Sequence, residues 1–263
     1  MLVELSEIVK NDLYSILSLE LNNPSSRNAM TWEMGLEFLQ TVESIPEKFP
    51  KARAVILSGK NDVFSAGGDL NFLKSFAKKT IAENERDMEK FYSFFLSIRS
   101  LPIPVIGAIN GHAIGAGFSL ALAADIRIFA NEGKYCFNFV KLGIHPGMGS
   151  SFIAKELLGA SKANELLMLA KELNGIMAKE YGLCQSSVPL TEVKDKALEL
   201  AEEISSFSPL ALSLLKQNSY DKQGLGDALK REAFAQSRNF VTKDFQETIL
   251  SIEQKRKPVF QGV

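Results

Sequence analysis

The chain has 263 residues, 46% hydrophobic and 23% charged, enough for one large domain, or a domain with a small appendage, around a sizeable core. Its formal net charge is −1 and its basic residues are scattered, with "KRK" at 255–257 the only tight cluster, so no strong field selects nucleic acid or a membrane surface. The longest apolar run, around 113–124, is too short to span a bilayer, and the N-terminus has no basic n-region, so the cytoplasm is the expected compartment and Cys136 and Cys184 are expected to be buried free thiols.

In chain order, "VELSEIV" and "YSILSLEL" read as two strands of a hairpin that turns at Asn11-Asp12. "NNPSSRNAM" is a turn-rich connection, and Thr31 then caps a helix over "WEMGLEFLQTVES". "ARAVILSG" is a β-branched apolar run, hence a buried strand, followed by the glycine loop "FSAGGDL". Helical patterns cover 69–79 and 83–100. "PVIGAIN" is the next buried strand; the small-residue stretch "GHAIGAGFSLALAAD" follows as loop then helix, and "DIRIFA" is another strand. "KYCFNF" is a short strand before the loop "KLGIHPGMGSS". Beyond 151 the patterns are mostly helical, from "FIAKELLG" and "SKANELLMLA" to "GDALKREAFAQSRNF" and "KDFQETILSIEQKRK". Strands alternating with helices imply parallel βαβ units, here followed by an all-helical tail.

The common chemistries are excluded by their motifs. The two histidines, His112 and His145, are too far apart for a zincin helix, and no phosphate loop, dinucleotide fingerprint or G-x-S-x-G elbow is present. Two glycine/alanine loops remain, each placed after a strand, where the ligand crevice of a parallel sheet lies. Gly67 and Gly68 bare backbone N–H groups, and Gly115, Ala116 and Gly117 open a helix whose first N–H groups have no internal partner. If the strands are neighbours, one N–H from each loop meets at one oxygen, an oxyanion hole. Small residues at a helix start also suit tight packing of helix on sheet, the alternative for either loop alone.

Taken together, "LNNPSSRNAM", "FSAGGDL", "PVIGAINGHAIGAGFSLALAADIRI", "LGIHPGMGSS" and "KDFQETILSIEQKRKPVF" resemble the crotonase, or enoyl-CoA hydratase/isomerase, superfamily over nearly the whole length. The resemblance implies an α/β fold: a ββα spiral core with a second, perpendicular sheet, taken as 1–200, and a C-terminal helical oligomerisation region, 201–263, that builds homotrimers or homohexamers. It implies an acyl-CoA thioester as substrate, with no metal and no cofactor beyond the coenzyme A of the substrate itself. By position, the thioester oxygen falls to the amides of Gly68 and Ala116. Arg27 and Ala29 match the turn near the CoA phosphates and pantetheine, Ala66, Asp69 and Leu70 match the adenine and pantetheine arm, and Lys255 is placed either to reach the CoA phosphates of a neighbouring subunit or simply as part of a solvated, charged helix end.

The resemblance also implies two hydratase glutamates, whose positions here hold Ser119 and Phe139. Neither side chain supplies the base or acid that water addition needs. Ser119 stays a candidate catalytic residue that hydrogen-bonds a substrate or a water, the alternative being a cap on local backbone, and Phe139, with Phe137 and Met148, makes the acyl pocket more apolar. His145, in the loop where other branches of the family place a catalytic aspartate, is a candidate proton carrier; the alternative is that it orders its own loop. His112 is expected to be structural. Glu85, Glu89 and Tyr92 lie roughly along one face of a helix that the resemblance places beside the acyl pocket, the alternative for the two acids being a solvated face. Enolate chemistry of three kinds is compatible with this set: isomerisation, atypical hydration, or decarboxylation, which needs no base. A non-catalytic acyl-CoA binder and a purely structural α/β protein are the rivals.

Overall fold

The computed structural model describes residues 1–9 and 12–263, so the turn expected at Asn11-Asp12 falls partly outside the described residues. The strands are β1 (Val3–Val9), β2 (Ser15–Leu21), β3 (Ala52–Gly59), β4 (Val63–Ser65), β5 (Val105–Ile109), β6 (His112–Ile114), β7 (Ile126–Ala130), β8 (Tyr135–Cys136) and β9 (Ser186–Val188). The helices are α1 (Trp32–Lys48), α2 (Leu70–Phe76), α3 (Ile81–Leu96), α4 (Ala116–Leu122), α5 (Ser150–Leu169), α6 (Gly175–Tyr181), α7 (Val193–Ser205), α8 (Pro209–Ser219), α9 (Lys222–Asn239) and α10 (Lys243–Glu253).

One sheet runs β1-β2-β3-β5-β7-β9 and a second runs β4-β6-β8. After β2 the chain visits the two sheets alternately, β3 then β4, β5 then β6, β7 then β8, with helices between the pairs. That is a ββα spiral. β1 and β2 pair antiparallel, and the other pairs in both sheets are parallel.

The pleat explains why "ARAVILSG" is apolar throughout. Val55 and Leu57 face a large core shared with Met34 and Phe38 of α1 and Phe95 of α3, while Ala54 and Ile56 face a second core with Val193, Ala197 and Ala201 of α7. Thr31 caps α1 through a hydrogen bond from Met34 N–H, as expected. The tail is helical, and α5 breaks at Gly159, whose φ of 71° and ψ of 167° separate the two helical segments read from the sequence.

Differences from the sequence expectation are short elements. The segments 63–65 and 112–114, read as loop, pair with each other as β4 and β6. The helix expected to 100 ends at Leu96 and continues as a single tight 3-10 turn, Ser97–Ser100. Three-residue strands are too short to show a period, so their pairing comes from neighbours rather than from pattern. Cys136 and Cys184 are buried free thiols, with burial pushing the Cys184 thiol up to about 11. No helix among the described residues is long and apolar enough to cross a membrane.

Candidate active site

The first glycine loop leaves β4 and is sewn to the turn at 27–30. Ala66 N–H donates to Arg27 O at 2.9 Å, Met30 N–H to Gly67 O at 2.7 Å, and Asp69 N–H to Met30 O at 3.0 Å. Gly68 lies between these bonds, and among the described residues no backbone acceptor takes its N–H. Asn28 holds the turn from below: it is fully buried at φ 52°, and its Nδ2 donates to Lys60 O and to Val63 O at 2.7 Å. Asp69 caps α2 by accepting from Phe72 N–H at 2.9 Å.

The second loop leaves β6. Gly115 donates its N–H to Cys136 O at 2.8 Å and reverses the chain at φ 54°, ψ −121°, after which α4 begins at Ala116. As the first residue of the helix, Ala116 has an N–H without an internal partner. Pairing of β4 with β6 presses the loops together: a Cβ on Gly67 would lie 2.5 Å from Ile114 O and 3.6 Å from Ala116 N. A Cβ on Gly117 would lie 2.7 Å from Ser65 Cβ. Only glycine permits this approach.

Gly68 and Ala116 line the same cavity, of about 80 Å3. Met88, Phe91 and Tyr92 of α3 form one wall, and Phe139, Ile144 and Met148 another. Tyr92 donates its hydroxyl to Gln236 Oε1 at 2.7 Å, and Gln236 Nε2 donates to His145 O at 2.6 Å. Tyr92 is the one titratable side chain among the lining residues; burial, and then the nearby Glu232, hold its phenol well above the ordinary range.

The remaining candidates divide by location. Ala66 and Phe139 line the cavity; Arg27, Ala29, Asp69 and Leu70 lie on or beside the stitched loops, with Arg27 exposed and Ala29 buried. Ser119 is fully buried behind the wall, its hydroxyl donating to Gly115 O at 3.2 Å and lying 3.5 Å from Gly147 O. His145 is outside the lining: its N–H donates to Asn239 Oδ1, and its Nδ1 lies 2.6 Å from Pro146 O. His112 Nδ1 accepts from Lys134 N–H at 3.0 Å. Glu85 and Glu89 are half-buried on α3 and also outside the lining. Lys255 is exposed just beyond α10.

Two residues of the site were missed in the sequence. Gln236 lines the cavity from α9, and Glu232, one turn earlier, is buried and accepts from Gly149 N–H and Ser151 N–H at 2.7 and 2.8 Å. Burial raises Glu232 to about 7, against the pull of these hydrogen bonds. The available signal was weak: two polar residues four apart on the face of α9 that also carries Ala228 and Ala233.

The sequence matches the Enoyl-CoA hydratase/isomerase family over residues 12–263. It is 34% identical to the bacillaene synthase decarboxylase of Bacillus subtilis over 82% of both chains. It is 31% identical to an enoyl-CoA isomerase/hydratase of Mycosarcoma maydis, over 95% of this chain and 94% of that one. A solved structure from a dehydratase/decarboxylase couple of polyketide β-branching superposes with a TM-score of 0.81 at 30% identity, covering 96% of this chain and 99% of the other. With the alternating two-sheet spiral and the paired glycine loops, these likenesses make the chain a member of the crotonase, or enoyl-CoA hydratase/isomerase, family.

Proposed function

We propose that this chain forms the enolate of an acyl-CoA thioester by decarboxylation. One observation carries the reading: two free backbone amides share a small cavity whose lining offers no side chain able to take a proton at neutral pH. Hydration and isomerisation need a base for water or for an α-carbon proton. Loss of CO2 needs none. The bond between the acyl chain and its carboxylate breaks, the electron pair moves into the thioester, CO2 leaves, and a proton from water then reaches carbon. The developing oxyanion lies between the N–H groups of Gly68 and Ala116, and one such donor is worth about 100- to 1000-fold in rate. The apolar walls at Phe91, Phe139 and Met148 strip water from the carboxylate, whose charge disperses as the bond breaks. The B. subtilis relative is itself a decarboxylase, which favours this reaction over the other two.

In this reading Arg27, Ala29, Ala66, Asp69 and Leu70 carry the CoA arm, Phe139 shapes the acyl end, and Ser119 and His145 support the walls. Lys255 contributes to the CoA site of a neighbouring subunit in a homotrimer or homohexamer. The test is turnover of malonyl- and glutaconyl-type CoA thioesters beside crotonyl- and 3-enoyl-CoA. CO2 release from the carboxylated thioesters, without hydration of crotonyl-CoA, is expected. Hydration or double-bond migration instead would transfer the assignment to those reactions, and tight binding with no turnover would make the chain a non-catalytic binder.

A further inference from the structure

Three polar side chains line the acyl cavity: Tyr92, Asn138 and Gln236. Two of them are already paired, Tyr92 donating to Gln236 and Gln236 to His145 O. Asn138 is not. It is the N-cap of the 3-10 turn Phe139–Leu142, but at φ −79° and ψ 7° its side chain makes no capping bond. It is half-buried and makes no side-chain hydrogen bond among the described residues. Its carboxamide is nevertheless not among the buried unpaired groups, so it keeps surface that a ligand can reach.

Its position is informative. Asn138 Oδ1 abuts the second glycine loop, where a Cβ on Gly115 would lie 2.7 Å from it. The next residue, Ala116, carries one of the two amides assigned to the thioester oxygen. Asn138 therefore stands beside the carbonyl end of the acyl group. With Oδ1 against Gly115, Nδ2 is left to donate. The cavity is also small, about 80 Å3. An apolar cavity of about 150 Å3 takes one benzene ring, so the acyl group that enters here is a short one.

We infer that Asn138 receives the substrate's carboxylate, and that the substrate is a malonyl-type thioester, in which a single carbon separates the carboxylate from the thioester carbon. In a glutaconyl-type thioester three carbons intervene, and the carboxylate lies beyond a residue that abuts the oxyanion loop. This inference rests on the decarboxylation reading and adds to it the residue that orients the leaving group. A hydrogen bond from Nδ2 to one carboxylate oxygen fixes the rotation of the bond that breaks, which must stand across the thioester plane for its electron pair to enter the carbonyl. That bond breaks, CO2 leaves, the pair becomes the enolate at the amides of Gly68 and Ala116, and a proton from water completes acetyl-CoA. A neutral amide suits this task. A lysine or arginine would stabilise the starting carboxylate more than a transition state from which that charge is departing.

The test compares the parent chain with Asn138→Leu and Asn138→Asp. CO2 release is followed from malonyl-CoA and from glutaconyl-CoA, and calorimetric titration follows butyryl-CoA, which has no carboxylate. The parent is expected to show kcat/KM for malonyl-CoA at least tenfold above that for glutaconyl-CoA. Both variants are expected to lose at least tenfold in kcat/KM for malonyl-CoA, the effect of removing a hydrogen bond to a charged group. Asn138→Asp is the poorer of the two, because it sets like charges together. Both are expected to bind butyryl-CoA within about twofold of the parent, as they do only if the fold and the two amides are intact. Undiminished malonyl-CoA turnover in Asn138→Leu, or a preference of the parent for glutaconyl-CoA, would overturn the inference and leave the decarboxylation reading standing. Equal losses on malonyl-CoA and butyryl-CoA would also overturn it, since Asn138 would then only support its loop. If the parent releases CO2 from neither thioester, the decarboxylation reading fails, and malonyl-CoA is titrated as butyryl-CoA is. Binding weakened by Asn138→Leu for malonyl-CoA alone would then support the carboxylate site, and unchanged binding would overturn it.

Discussion

Gly117 carries no reactive group, yet the geometry of the acyl site depends on it. A methyl group there meets Ser65 at 2.7 Å, so Gly117→Ala must move α4 away from β4 and carry the Ala116 amide away from Gly68. Misplacement of a catalytic group by about 1 Å costs on the order of 100-fold. Gly117→Ala is therefore expected to lower kcat/KM for the thioester about 100-fold while the chain stays folded, as read by steady-state kinetics and circular dichroism; unchanged kcat/KM would contradict the placement. Tyr92→Phe removes the donor to Gln236 Oε1 and leaves that buried acceptor unpaired. It is expected to lose about 1–3 kcal/mol of stability in urea unfolding. At this scale the amide-bearing loops were legible, because a glycine demanded by backbone contact leaves its mark in the sequence. Gln236 was not, since a glutamine on a helix reads as surface until its partners Tyr92 and His145 O are known.

The N-cap of α5 is Gly149, at φ 72°, which has no side chain to cap the helix. Glu232 of α9 supplies the missing acceptor, taking the N–H groups of Gly149 and Ser151 and complementing the positive end of the helix. Burial nevertheless dominates and raises its pKa from 4.5 to about 7. The native state therefore keeps a proton that the unfolded chain has released, and this group's contribution to stability falls as pH rises between those two values. Glu232→Gln cannot titrate, so its unfolding free energy is expected to vary less between pH 5 and pH 7.5 than that of the parent, as measured in urea; an equal slope in both proteins would assign the pH dependence to another group. The elements themselves were read largely from pattern: the helix cap at Thr31, the two-faced strand β3 and the break near Gly159 all follow from local rules. Local rules did not reveal the capping of α5 from a residue eighty positions away.

Across the whole molecule, the alternation of strands and helices made the parallel α/β class legible, while the second sheet, built from strands of two or three residues, was visible only through family resemblance. The helical tail leaves Phe207, Leu210 and Leu214 more than half or about half exposed around α8, an apolar face of the kind that assembly covers. Leu210→Asp with Leu214→Asp is expected to reduce the sedimentation mass to that of one chain; an unchanged mass would place any subunit contact elsewhere.

The central claim concerns one carbonyl. Butyryl-CoA carries neither a carboxylate to lose nor a double bond to hydrate, so it occupies the site without reacting. Difference infrared spectroscopy of bound butyryl-CoA, labelled with carbon-13 at the thioester, is expected to show the C=O stretch displaced to lower wavenumber, as two converging N–H donors polarise the bond. A stretch at its free-solution position, with the ligand bound, would mean that the amides of Gly68 and Ala116 do not meet there.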